Sequence, residues 1–293
     1  MLESSLSMSH LKRQSNLMIL VLLGLLTATA KGQSSRAKLD GMWSDPPATA
    51  VGTFCFFSCT DVGLDRLNKL LDDPANDARP AMQLIAQAKT VEGDYIRGLF
   101  TPEALKHYPL DPLKDPGYLR CEPWGLARQM FAPHQFELRQ QGRDRIELRY
   151  GEWAARRTIY MDGRKLPGNI KPSKMGYSVG RWDGETLIIE TSAIEANIFE
   201  SLAVGGNTGG GTLHSDQLRI VERYTRSADG KTLLLTSTLE DPVTFRGPLV
   251  LKKIWSWAPD QKITPYDSCE RPAESKKGAK REPDRATPKG EAP

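Results

Sequence analysis

From about residue 135 to 257 the apolar positions of the chain recur every second residue. Ile146, Leu148 and Tyr150 alternate with Arg145, Glu147 and Arg149, and Leu218, Ile220, Glu222 and Tyr224 alternate with Arg219, Val221 and Arg223. A period of two puts one face of each run against a core and the other in water, the signature of half-buried strands. Three Asp-Gly dipeptides, at 162–163, 183–184 and 229–230, fall between such runs and suit the primed hairpin turns that need positive φ. Runs begin near Gln135, Arg145, Arg157, Ser178, Thr186, Leu218, Leu233, Thr244 and Lys252. The pattern predicts an antiparallel meander of eight or nine strands, closed into a barrel because closure removes exposed edges. The expected fold is therefore mainly β, an antiparallel barrel over 121–270 of calycin or lipocalin type, preceded by a small helical lobe and an extended linker over 31–120.

Upstream the period lengthens. Leu64, Leu67, Leu70 and Leu71 recur at helical spacing and stop at Pro74; Ala81, Met82, Leu84, Ile85 and Ala88 follow Asp77 and a first-turn Pro80. Thr101 stands as the cap of a short helix that opens Pro102-Glu103. Between Tyr108 and Trp124 the prolines at 109, 112, 116 and 123 argue for an extended crossing.

The two ends change the class of protein. Lys12 and Arg13 precede the apolar run Leu17–Leu26 and the small triplet Ala28-Thr29-Ala30, which reads as a secretory signal peptide over 1–30. Ten apolar residues are too few for the roughly 20 that span a bilayer, so no membrane span is expected after cleavage. Arg271–Pro293 has seven basic and four acidic residues and no large apolar side chain, and is expected to be a disordered tail. Tail and signal segment account for the whole net charge of +4, leaving a neutral body and arguing against nucleic acid as a partner. Export to the periplasm or beyond makes the even count of cysteines, Cys55, Cys59, Cys121 and Cys269, a disulfide set. Cys121–Cys269 would tie the ends of the strand-rich segment, with Cys55–Cys59 local; crossed pairing is the alternative. The spacing makes a poor zinc set, and no metal is expected.

The chemistry-bearing residues are few. "GGNTGGGTLHSD" (205–216) lacks the Gly-Lys-Ser/Thr ending of a phosphate loop and runs into a strand, so it is a lid or a slack connection. It delivers His214, able to exchange a proton near neutral pH, with Asp216 two residues on to orient the ring. If the strand is regular, Glu222 and Tyr224 share the face of His214. Arg157, Glu190, Arg219 and Glu222 are polar where an inward face is expected, and the alternative is that each faces solvent. "GYSVG" (176–180) matches the letters of a nucleophile elbow, but Ser178 opens a hairpin strand rather than a strand-to-helix turn. His134, between Pro133 and a strand, reads as structural. Trp153, Trp182, Trp255 and Trp257, with Tyr150, Tyr160, Tyr177 and Tyr224, supply aromatic surface for a flat apolar ligand or for the core. No nicotinamide, flavin or P-loop signature is present, so no cofactor is expected.

"MGYSVGRWDGETLIIET" (175–191), "HSDQLRIVERYTRSADGKTLLLTSTLEDP" (214–242) and "PLVLKKIWSWAPDQKITPYDSCE" (248–270) resemble motifs repeated in an uncharacterised family of exported β-rich bacterial proteins. The resemblance implies an exported β-rich domain and carries over no catalytic residue; the architecture is similar to lipocalins in strand count and compartment. Two functions are expected from these features. One is binding of a small apolar or aromatic molecule, with Tyr150, Tyr160, Trp182, Glu190, Glu222 and Tyr224 as contacts. The other is a cofactor-independent lyase or isomerase, with His214 and Asp216 moving the proton and Arg157 or Arg219 stabilising an anion.

Overall fold

The computed structural model describes residues 39–111, 115, 117, 120–199 and 211–264. The signal segment, the tail, Cys269 and all of the glycine run before Gly211 lie outside the described residues. Nine strands close a barrel in the order β1, β11, β10, β9, β6, β5, β4, β3, β2. They are β1 (Gly41–Ser44), β2 (Phe136–Gln141), β3 (Arg145–Tyr150), β4 (Arg156–Tyr160), β5 (Tyr177–Asp183), β6 (Thr186–Ser192), β9 (Arg219–Arg226), β10 (Thr232–Glu240) and β11 (Leu249–Trp257). Two short strands, β7 (Asn197–Phe199) and β8 (Thr212–His214), form a separate hairpin whose register sets Asn197 opposite His214.

Closure departs from the antiparallel meander in three places. β4 and β5 pair in parallel, Ile159 with Ser178 and Tyr160 with Val179. The connection over 161–176, which holds the Asp162-Gly163 pair, is too long for a tight hairpin and carries the chain back before β5 begins; Gly184 and Gly230 sit in the hairpins expected of them, at φ +58° and +73°. The stretch from Thr244 is a turn leading into one strand, β11. The ninth strand comes instead from β1, which pairs Trp43 with Trp257 on one side and with Phe136 on the other. The barrel thus crosses the boundary expected at 121, because four residues ahead of the helices supply its closing strand.

The helices are α1 (Ala50–Phe54), α2 (Asp61–Leu71), α3 (Ala81–Leu99), α4 (Pro102–Leu105) and α5 (Leu126–Gln129). Thr60 and Thr101 cap α2 and α4 with their hydroxyls, accepting from Gly63 N and Ala104 N. The apolar faces of α2 and α3 bury Leu67, Leu70, Leu84, Ile85 and Ala88 against Phe54 and the Cys55–Cys59 disulfide, with Ile254 of β11 packed on this cluster. Cys59 extends the attachment by exchanging backbone hydrogen bonds with Lys252. Cys121 is disulfide-bonded too. Gly117 and Arg120 are helical, so the proline-rich crossing is not extended throughout: each proline restrains only itself and its predecessor. No helix among the described residues is long and apolar enough to cross a membrane.

The lumen is a packed core. Leu138, Ile146, Leu148, Ile159, Leu187, Ile189, Ile220, Leu233, Leu235, Leu239, Leu249 and Leu251 are fully buried. At the centre the ring of Phe136 stacks on Tyr224 at 5.7 Å and on Trp255 at 5.2 Å, and meets Tyr150 at 5.6 Å. Deleting this ring removes a contact to three strands at once, so Phe136→Ala should cost about 3–5 kcal/mol in urea unfolding, the usual size for a buried aromatic. A loss below about 1 kcal/mol would mean that the lumen is loosely packed.

Candidate functional site

Strand parity places two opposite charges inside the barrel. Arg157 on β4 is 3% exposed and Glu222 on β9 is 0% exposed, and Arg157 Nη2 reaches both carboxylate oxygens at 2.9 and 2.8 Å. Three strand positions separate β4 from β9, so the pair bridges the lumen. Tyr224, two residues along β9, donates its hydroxyl to Glu222 at 2.8 Å. Burial opposes the guanidinium charge, but Glu222 facing it prevails and its pKa is raised. Burial first, then Glu222, raises the pKa values of Tyr150 and Tyr224, so both phenols stay protonated. Arg157 Nε and Nη1 and the Tyr150 hydroxyl are buried without a protein partner. The group is a neutral, desolvated unit whose ion pair satisfies the rule that buried charges are paired.

A third ionisable side chain on an inward strand face was missed in the sequence. Lys253 lies on the inward face of β11 between Leu251 and Trp255, donates to the carbonyl of Ala132, and sits 4.9 Å from the Trp255 ring. Burial lowers its pKa to about 7, with Asp45 partly offsetting the effect. Ala132 follows α5, so this bond pins the Met130–Ala132 segment against the barrel wall.

The proposed proton carrier is not assembled. His214 belongs to β8, not to the barrel strand β9, and its ring is buried with Nδ1 2.9 Å from the carbonyl of Ser215. Desolvation lowers its pKa, opposed by the Ser215 carbonyl and Asp241. Asp216 is exposed in the turn after β8. Asp241 is the acid that organises this corner, accepting from Ser215 N and Oγ, Val243 N and Thr244 Oγ1 at 2.7–3.0 Å. The expectation of one continuous strand from His214 to Tyr224 fails because Ser215–Leu218 turn between two sheets.

The remaining candidates divide by strand parity. Arg219 is exposed, and Glu190 pairs outside the lumen with Arg181. Tyr160 stacks on Tyr177 at 5.1 Å on the outer face of β4 and β5, under the Arg164 guanidinium. Trp182 is half-buried and packs on the core from the end of β5. Ser178 shares a hydrogen bond of 2.9 Å with Thr191 inside the barrel. Among the described residues no set of His, Cys, Asp or Glu is placed to hold a metal.

Open space lies outside the lumen. One cleft of about 410 Å³ is bounded by Leu110, Trp124, Arg128, Asn197, Ile198 and Leu213, at the root of the glycine run. Arg128 stacks its guanidinium 3.9 Å over the Trp124 ring and is held by Asp115 at 2.6 Å. Gly125 opens α5 here, where a Cβ would meet Asn197 at 3.2 Å. Leu213, 39% exposed, is among the large apolar side chains left accessible. No family model matches the chain, and comparison with curated proteins and with solved structures finds no match.

Two measurements follow. Glu222→Leu leaves Arg157 charged and unpaired and should cost about 3–5 kcal/mol in urea unfolding, whereas Arg157→Met with Glu222→Leu should recover most of the loss. A double variant as unstable as the single would show that the pair is not the origin of the cost. For Lys253, the folded pKa near 7 lies below the ordinary 10.5, so between those values the unfolded chain binds more protons and stability rises with pH. Lys89, whose pKa burial also lowers, acts in the same sense. The rise in Tm from pH 7 to pH 9.5 should therefore shrink, not vanish, in Lys253→Met; equal rises would place the Lys253 ammonium in water.

Proposed function

We propose that the protein is an exported binding protein for a small apolar or aromatic molecule, taken up at the barrel mouth rather than in the lumen. The observation that carries this reading is the Trp124 cleft, where an indole braced from one side by Arg128 stands with Ile198, Leu213 and Leu110 around one opening. Concave sites with apolar walls and a few fixed polar groups are the usual form of small-molecule sites, and Asn197 and Arg128 supply the polar groups here. The lumen offers less, since the expected contacts Tyr150, Glu222 and Tyr224 are already packed on one another. Export rests on the leader-like N-terminus, and the Cys55–Cys59 disulfide agrees with an oxidising compartment. The lipocalin-like reading extends to the barrel and this mouth site, with the parallel β4–β5 pair as a departure.

The fluorescent apolar amine N-phenylnaphthylamine serves as the probe. Binding should saturate at one site, and Trp124→Ala and Leu213→Glu should each weaken it about tenfold or more, or ~1.4 kcal/mol. Unchanged affinity in both variants, or no saturable binding to the wild type, contradicts the mouth site.

A further inference from the structure

The β7–β8 hairpin is paired outside the barrel sheet, and its two faces meet different surroundings. Register sets Leu213 opposite Ile198, and both line the Trp124 cleft. The alternate positions Thr212, Phe199 and His214 are buried. Thr212 Oγ1 donates to the carbonyl of Ala104 at 2.8 Å, and Phe199 meets Phe245 edge-on at 5.4 Å within the barrel's core cluster. Successive side chains of a strand point to opposite faces, so this foot of the hairpin and the wall it gives the cleft are one rigid piece.

His214 is the ionisable residue of that foot. The carbonyl of Ser215 can only accept, so Nδ1 of the ring, 2.9 Å away, carries a hydrogen and donates it. In the neutral ring Nε2 is then a bare acceptor, and it is buried with no hydrogen-bond partner. A proton added at Nε2 would place a charge in a desolvated position with no acceptor for the new N–H. Burial lowers the pKa of His214, opposed by the Ser215 carbonyl and by Asp241. Asp241, in the turn after β10, already accepts from Ser215, Val243 and Thr244. The other charged or titratable groups on elements packed against the hairpin are engaged elsewhere or face water. On α4 and just after it, Glu103 pairs with Lys106 and stands 3.8 Å from His107; on α5, Arg128 is held by Asp115. Asp111, Glu195 and Asp216 are exposed.

We propose that the hairpin is a proton-sensitive wall of the Trp124 cleft: protonation of His214 frees the hairpin from the barrel, and the cleft then loses Leu213 and Ile198 and releases its apolar ligand. This regulation rests on the binding reading of that cleft. The docked hairpin excludes the proton, whereas the undocked one, with its imidazole in water, takes it at the ordinary histidine value of about 6.5. The undocked form therefore binds more protons, so docking holds above that value and is lost as the pH falls below it. Affinity falls with the docked fraction, since only the docked form presents the complete cleft.

The test uses the full-length protein and two readouts, each at pH 7.5 and pH 5. The first is affinity for N-phenylnaphthylamine, a diarylamine that stays uncharged at both values. The second is amide hydrogen exchange without ligand, corrected for intrinsic rates, in which the hairpin is compared with β9 and β10. Wild-type affinity should be about tenfold lower at pH 5, the order expected for one proton taken up with a pKa near 6.5. Protection of the hairpin amides should fall while those of β9 and β10 keep theirs. His214→Asn retains a donor for the Ser215 carbonyl and His214→Phe retains a ring, and neither side chain takes a proton. Each should bind the probe equally well at both pH values. The rest of the chain is identical in these variants, so a pH response of other origin persists in them. Thermal melting at each pH verifies folding, and either variant serves should the other unfold. Undiminished wild-type affinity at pH 5, hairpin protection equal at the two pH values, or a loss of affinity that persists in a folded variant overturns the proposal and leaves the cleft in place. No saturable binding at pH 7.5 overturns the cleft itself, and the proposal with it.

Discussion

A single ion pair across the lumen sets the terms on which this barrel closes. Arg157 and Glu222 sit on strands that are not neighbours, and each would be a buried, unpaired charge without the other. Their mutual approach therefore constrains the tilt and spacing of the strands between them. It also brings Tyr224 into line, since its hydroxyl must reach Glu222 while its ring stacks on Phe136. From Phe136 the packing passes to Trp255 and Tyr150, so aromatic stacking and charge pairing form one unit at the barrel's centre. A lumen filled in this manner has little room for a ligand, and the open space is displaced outside it.

The N-terminal segment contributes at both levels. β1 supplies the closing strand, and the helical lobe that follows packs on the outer face of β11, tied by the Cys59–Lys252 pairing. The segment after α5 seals one end, pinned through Ala132 to Lys253. His134 and the β3–β4 turn bearing Glu152 follow directly from that seal.

Period-two patterning made most strands legible, since a buried face alternating with charge leaves a direct imprint. It also held the clue to Lys253, which falls in phase with Leu249, Leu251 and Trp255, and to the inward placement of Arg157 and Glu222. The sequence could not separate Arg157 and Glu222 from Arg219 and Glu190, because facing depends on register across strands far apart in the chain. Four residues, Gly41–Ser44, are too short for any period, so β1 left no trace. The parallel β4–β5 pairing was hidden because Asp162-Gly163 resembles a hairpin turn yet stands at the start of a longer connection. His214 misled for a related reason: Ser215–Leu218 turn between sheets, though the letters on either side alternate as one strand would.

The lumen is a packed, charge-bridged core, and the site proposed for small apolar molecules lies outside it. A crystal structure of the protein soaked with N-phenylnaphthylamine tests this directly. Density is expected against Trp124 and Leu213, with Phe136, Tyr224 and Trp255 still stacked and Arg157 still on Glu222. Density within the barrel, with the aromatic stack parted and the ion pair opened, would contradict it.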